Sequence, residues 1–185
     1  MMTRFARFGV VVVLVVFGLT VASGGAASAT PMWSVVASPN PPGTAHSELS
    51  GVSCENGTQC MAVGSTTLAT GQVTTLAERG NGTTWSVVST PNLVGVLRKR
   101  LLGVACPSMT NCYAVGWSSP TTNSGGHTTM LIEHWDGATW SVMVNPKVTG
   151  NPISRLTGVS CPMATLCYAV GAINSHALVI RWTGT

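Results

Sequence analysis

The stretch Gly103-Val104-Ala105-Cys106-Pro107-Ser108-Met109-Thr110-Asn111-Cys112-Tyr113-Ala114-Val115-Gly116 decides how this chain folds. Two short apolar runs, one entering a cysteine and one leaving a cysteine, flank a few polar residues, which is the pattern of a β-hairpin. The same phrase stands at 51–64 and again at 158–171. Cys54, Cys106 and Cys161 are separated by 52 and 55 residues, and Trp33, Trp85 and Trp140 show the same two offsets. Matching offsets at two independent landmarks identify an internal repeat, which governs all further reasoning about the fold.

Each repeat predicts four short strands: a over 101–106, b over 112–117, c over 130–135 and d over 140–144, in the numbering of the middle copy. Asn81-Gly82 and Asp136-Gly137 mark tight turns between c and d, because glycine supplies the positive φ such turns require. The polar stretches 65–74, 90–100 and 118–128 read as loops, with Arg98-Lys99-Arg100 a solvated cluster within one of them. The runs 130–132 and 178–180 are apolar on both faces. Successive side chains on a strand point to opposite sides, so these strands call for cover on both, the environment of a propeller blade. The fold class is therefore all-β: three four-stranded antiparallel repeat units arranged as propeller-like blades, a partial or dimer-completed propeller. A threefold β-trefoil or β-prism is the alternative. The units span about 50–88, 103–144 and 158–182, the last completed by a strand at 33–36.

The first 29 residues read as a signal peptide. Arg4 and Arg7 precede an apolar run over 10–17, and Ala27-Ser28-Ala29 offers the small residues of a cleavage site. Residues 30–185 then form a single β-repeat domain, secreted and with no membrane span after cleavage. Loss of Arg4 and Arg7 leaves seven Lys/Arg against five Asp/Glu, too weak and scattered a positive charge to point to nucleic acid. In an exported chain the even cysteine count reads as a disulfide framework. Adjacent antiparallel strands pair Cys54 with Cys60, Cys106 with Cys112 and Cys161 with Cys167, and each bridge is expected to contribute roughly 2–2.5 kcal/mol. Zinc ligation would call for closer spacing and recurring histidines, which these pairs lack.

Trp33, Trp85 and Trp140, at the start of strand d in each copy, are expected to be packing anchors. Trp117 occurs in one copy beside the longest polar stretch and is the candidate ligand contact. Of the acids Glu48, Glu55, Glu78, Glu133 and Asp136, two occupy equivalent positions (Glu78 and Glu133), which suits a structural role better than a catalytic dyad. The histidines His46, His127, His134 and His176 form no ligand motif, no serine lies in G-x-S-x-G, and Asn56-Gly57-Thr58 and Asn81-Gly82-Thr83 read as turns. No catalytic residue, metal site or cofactor is assigned.

The chain resembles a family of secreted bacterial repeat proteins with units of the form W-S-V-V-x-S-P-N, L-x-G-V-S-C-P, C-x-A-V-G and E-R-W-D-G-T-x-W-S. The likeness is carried by 33–40, 156–162, 167–171 and 133–140, and extends over nearly all of 30–185. Such arrays look kelch-like, and the resemblance implies a β-propeller. Three blades are fewer than the four to eight of usual rings, and Gly80 replaces the tryptophan found at Trp135 and Trp182. Three resolutions follow: a homodimer completing a six-bladed ring, a shortened relative of a longer array, or the threefold trefoil or prism. The expected function is a non-enzymatic extracellular binding or scaffold module, with a protein or glycan ligand. The alternative, a propeller-type carbohydrate-active enzyme, requires two of Glu48, Glu78, Glu133 and Asp136 to converge on one bond.

Overall fold

The computed structural model describes residues 32–120, 127–149 and 152–184; residues 1–29, read as a signal peptide, and part of the polar stretch beside Trp117 lie outside them. Residues 32–34 fall in a unit apart from 35–184, and every described strand lies in the latter. The described residues are all-β, with no helix. Eleven strands fall into three groups. The first holds β1 (Thr44–Cys54), β2 (Cys60–Leu68), β3 (Val73–Gly80) and β4 (Trp85–Val88). The second holds β5 (Arg98–Ser108), β6 (Asn111–Ser119), β7 (Thr129–Trp135) and β8 (Trp140–Val142). The third holds β9 (Ser154–Met163), β10 (Leu166–Ile173) and β11 (His176–Trp182). Within each group, consecutive strands pair antiparallel. A single parallel pairing, Val73 with Arg98, joins the first group to the second in one sheet.

The strands start earlier and run longer than their apolar runs suggest. Residues 98–100, expected in a loop, open β5, and much of 65–74 lies in β2 and β3. Polar side chains extend the ladders because partners satisfy them: Ser47 and Thr66 share a 3.0 Å hydroxyl bond across β1 and β2. The c–d turns form as read. Asn81 Oδ1 accepts from the amides of Thr83 and Thr84, and Asp136 Oδ1 accepts from those of Ala138 and Thr139, the short-range bonding that suits Asn and Asp to turns. Asn56 does the same for Thr58 and Gln59 between β1 and β2. The link from β10 to β11 is tighter, with Asn174 and Ser175 at φ 46° and 68°, the left-handed pair of a two-residue hairpin.

Three disulfides close the a–b hairpins, Cys54–Cys60, Cys106–Cys112 and Cys161–Cys167, with Cα separations of 4.0, 4.0 and 4.1 Å. Further along each hairpin the register slips by one residue at the same place: between Leu49 and Gly51, between Leu101 and Gly103, and opposite Val170 and Gly171. Each slip is a β-bulge, and each stands against a glycine of the partner strand: Gly64, Gly116 or Gly171. A Cβ on those glycines would run into the carbonyl of Glu48, Arg100 or Arg155 respectively.

The groups pack face against face. Met61, Val63 and Ala77 of the first group meet Leu101, Val104, Ala114, Leu131, Trp135 and Trp140 of the second in one buried cluster. A smaller cluster joins Val115 and Met130 to Leu156 and Ala169 of the third. Strand β7 is thus covered on both sides, as its double-faced apolarity requires. Strand β11 is not: Val179 is 65% exposed, because no further group lies against that face among the described residues.

Residues 33–36 form no strand, and Trp33 is fully exposed. The third group consequently has three strands rather than four. The Trp-Ser-Val-Val phrase forms a strand at 85–88, on the edge of β3, and none at 33–36.

Gly116→Ala is expected to lose about 1–3 kcal/mol in urea unfolding, the range for forcing atoms into a filled site. Gly57→Ala, with open space around it, should stay within about 0.5 kcal/mol of the parent. Equal losses in the two variants would refute the role of the bulge.

Candidate functional site

The junction between the first and second groups holds Glu48, Glu55 and Glu133 together with Lys99 and Arg100. Lys99, the second residue of β5, is fully buried rather than solvated. Its Nζ donates to the carbonyl of Pro91, at 3.0 Å, in the segment that follows β4. Glu133, on β7, is also fully buried, and its Oε1 accepts from Thr75 Oγ1 of β3 at 3.4 Å. Its Oε2 has no hydrogen-bond partner. Burial raises the Glu133 carboxyl to about 7, against the opposing pull of the Lys99 charge and the Thr75 bond. Burial likewise lowers Lys99, and Glu133 pulls it back. Lys99 and Glu133 are thus a buried base and acid, each hydrogen-bonded to residues of the first group or the segment after it, through Pro91 and Thr75.

Three carboxylates reach from one group to the next. Glu133 does so through Thr75. Glu55 Oε2 accepts from the Met109 amide at 3.0 Å, and Glu48 pairs with Arg100 at 3.1 Å. That last pair is partly exposed, where an ion pair contributes little. Glu78, the counterpart of Glu133, is buried and accepts from Ser38 Oγ at 3.0 and 2.9 Å; burial raises its carboxyl, and the Ser38 bond opposes this. Asp136 stays in its turn, where the amides of Thr139 and Ala138 lower its carboxyl. None of the four candidate carboxylates hydrogen-bonds the same group as another.

The junction between the second and third groups is apolar and aromatic. A cavity of about 80 Å³ is lined by Tyr113, Val115, Ile132, Val144, Ile180 and Trp182, among others. Trp182 Nε1 donates to Tyr113 Oη at 3.1 Å, and that hydroxyl donates to the Ala164 carbonyl at 3.3 Å. The Tyr113 and His134 rings lie 4.8 Å apart, with His134 also bonded to Asn111. Burial lowers His134, and Asp136 opposes this.

The tryptophans divide. Trp140 is buried, 5.8 Å from the Trp135 ring. Trp85 is half-buried and lies across Gly80, whose missing side chain gives the ring its place: a Cβ there would stand 3.1 Å from the Trp85 ring. Trp33 makes no such anchor. Trp117 is half-buried on β6, opposite Arg100 and Met130, and its neighbouring loop over 121–126 lies outside the described residues. The burial of Lys99 was not legible in sequence, since its partners come from a segment after β4 and from β7. The one available signal was the β-strand that continues it, in Leu101 and Leu102.

No known protein family, curated protein or solved structure matches this chain.

The pH dependence of stability tests the buried acid. Folded Glu133 keeps its proton up to about 7, while the unfolded carboxyl releases it near 4.5. The unfolded chain therefore binds fewer protons in this window, and stability falls as pH rises through it. The loss is at most about 3 kcal/mol. Glu133→Gln is expected to flatten this fall in denaturant titrations between pH 4.5 and 7. A variant with the parental slope would show that Glu133 is ionised in the folded state throughout.

Proposed function

We propose that this protein is a secreted, non-enzymatic binding or scaffold module of β-propeller type, each strand group being one blade. The observation that carries this is where the carboxylates are used. Glu48, Glu55 and Glu133 all tie the first group to the second, which leaves the acids serving assembly rather than a cleft. Antiparallel meanders stacked face to face favour a propeller over a trefoil or prism. The resemblance in 33–40, 156–162, 167–171 and 133–140 to kelch-like secreted repeat proteins supports the same reading. Three disulfides suit an oxidising compartment, and no described helix is long and apolar enough to cross a membrane. On this reading the ligand is an extracellular protein or glycan, contacted through the loops at one rim, with Trp117 the aromatic contact.

A propeller-type carbohydrate-active enzyme is the second reading. It draws on Glu133, whose carboxyl at about 7 lies where a general acid works best. Its complete burial keeps it from any substrate unless the two groups separate.

Peptide mapping of the unreduced protein from culture medium tests the first reading: three local cysteine links and an amino terminus at Thr30 are expected. Free thiols, or links between different groups, would remove the blade assignment. Incubation with a panel of nitrophenyl glycosides tests the second. Turnover abolished by Glu133→Gln in a folded variant would replace the scaffold with an enzyme.

A further inference from the structure

Strands β3 and β7 each carry a fourth strand on their outer edge, in equivalent registers. Arg79 faces Ser86 and Gly80 faces Trp85; His134 faces Ser141 and Trp135 faces Trp140. Strand β11 has no partner on the corresponding edge among the described residues. Its turn is nonetheless built like the other two. Gly184 has φ 76° and packs against Thr165, as Gly82 (φ 92°) packs against Thr58 and Gly137 (φ 98°) against Thr110.

The open edge has a matching segment in the same sequence. Trp33-Ser34-Val35-Val36 repeats Trp85-Ser86-Val87-Val88. These residues form no strand, and Trp33 and Val35 are exposed at 103% and 102%. Two broad faces are open as well. Tyr168 and Val170 of the third group are 42% and 46% exposed, whereas their counterparts Tyr113 and Val115 are 6% and 1% exposed beneath the next group. At the other end, Leu49 and Val52 are 40% and 61% exposed, whereas Leu101 and Val104, which pack on the preceding group, are at 0% and 8%.

We infer that two copies of this chain join head to tail, residues 33–36 of one copy forming the fourth strand on β11 of the other. The register follows from the two complete groups: Trp33 opposite Trp182, Ser34 opposite Arg181, Val35 opposite Ile180 and Val36 opposite Val179. The occupant is a second copy because of how the chain passes from group to group. Strand β4 lies on the group that precedes β5, and β8 on the group that precedes β9. Thr90 and Asn145, five residues after Trp85 and Trp140, then tie the connection down on the carbonyls of Thr75 and Met130. Ser38, five residues after Trp33, is bonded instead to Glu78 of the first group. Residues 33–36 thus belong to a group standing before the first, and a third group has the open edge they fit. The two copies would bury the open face of each third group under the first group of the other. Two copies of the three described groups make six, within the four to eight blades that close a ring, and three are fewer than that.

This inference rests on the blade reading of the groups, and its test separates the two. The double variant Ser34→Cys with Arg181→Cys, made as a mixture of isotope-labelled and unlabelled chains, is oxidised under mild conditions. A covalent dimer is expected, with positions 34 and 181 joined between labelled and unlabelled chains. Links confined to single chains would overturn strand exchange. Light scattering of the parent protein should give twice the monomer mass, and Val35→Pro should halve it without changing the β-type circular dichroism. A folded parental monomer, an open series of larger species or a Val35→Pro dimer would each overturn the proposal. Failure of the blade reading would register separately, as altered cysteine links in the unmodified protein.

Discussion

The first strands of the three groups pass one another with no side chain between them, and the rest of the architecture depends on that approach. A Cβ on Gly51 would stand 3.0 Å from the Cα of Gly103, and one on Gly103 would stand 3.2 Å from the Cα of Gly158. Backbone atoms at such distances would have to give by a few tenths of an ångström to admit a side chain, so the close approach favours glycine at Gly51 and Gly103. Gly51, Gly103 and Gly158 each follow a bulge, and every bulge needs a glycine of its own on the facing strand, at Gly64, Gly116 or Gly171. A bulge bends and twists the strand that carries it. Placed identically three times, it gives the three hairpins one shape, and identical shapes are what allow each group to pack on the last in the same way.

The disulfides act at the other end of the same hairpins. A bulge removes ladder bonds and loosens register, whereas a covalent link a few residues away fixes which residues oppose one another. Between bridge and bulge lie the alternating residues that make the junctions. Met61 and Val63 of the first group are fully buried, as are Cys112 and Ala114 of the second. A slip of one residue would exchange these for their neighbours and dismantle the junction. Close packing of the groups and the pinned register are therefore a single requirement, which accounts for the cysteines and the glycines recurring at fixed spacing in the same short phrase.

Much of this was written locally in the chain. The cysteine pairs and the Asn-Gly and Asp-Gly turns depend on neighbours a few residues away, and the structure forms them as read; of the two double-faced apolar strands, β7 is covered on both sides and β11 is not. The bulges were present in the sequence too, in the recurring glycines that end the Ala-Val-Gly phrase, although they read simply as strand residues. What failed was non-local. Arg98-Lys99-Arg100 has the composition of a solvated loop, yet Lys99 is buried because Pro91 and Glu133, from two other elements, converge on it. Residues 33–36 have the composition of a strand, but a strand needs an edge, and composition does not say where that edge lies.

The junctions differ in chemistry although they share a shape. The first is polar at its centre, with Lys99, Glu133 and Thr75 enclosed; the second replaces Glu133 by Ile180 and fills the space with Tyr113 and Trp182. A buried acid or base costs stability wherever it is left without its partners, a penalty that apolar side chains of similar volume do not carry. The second group thus meets the first through polar groups that must be satisfied across the junction, and meets the third through packed apolar and aromatic side chains.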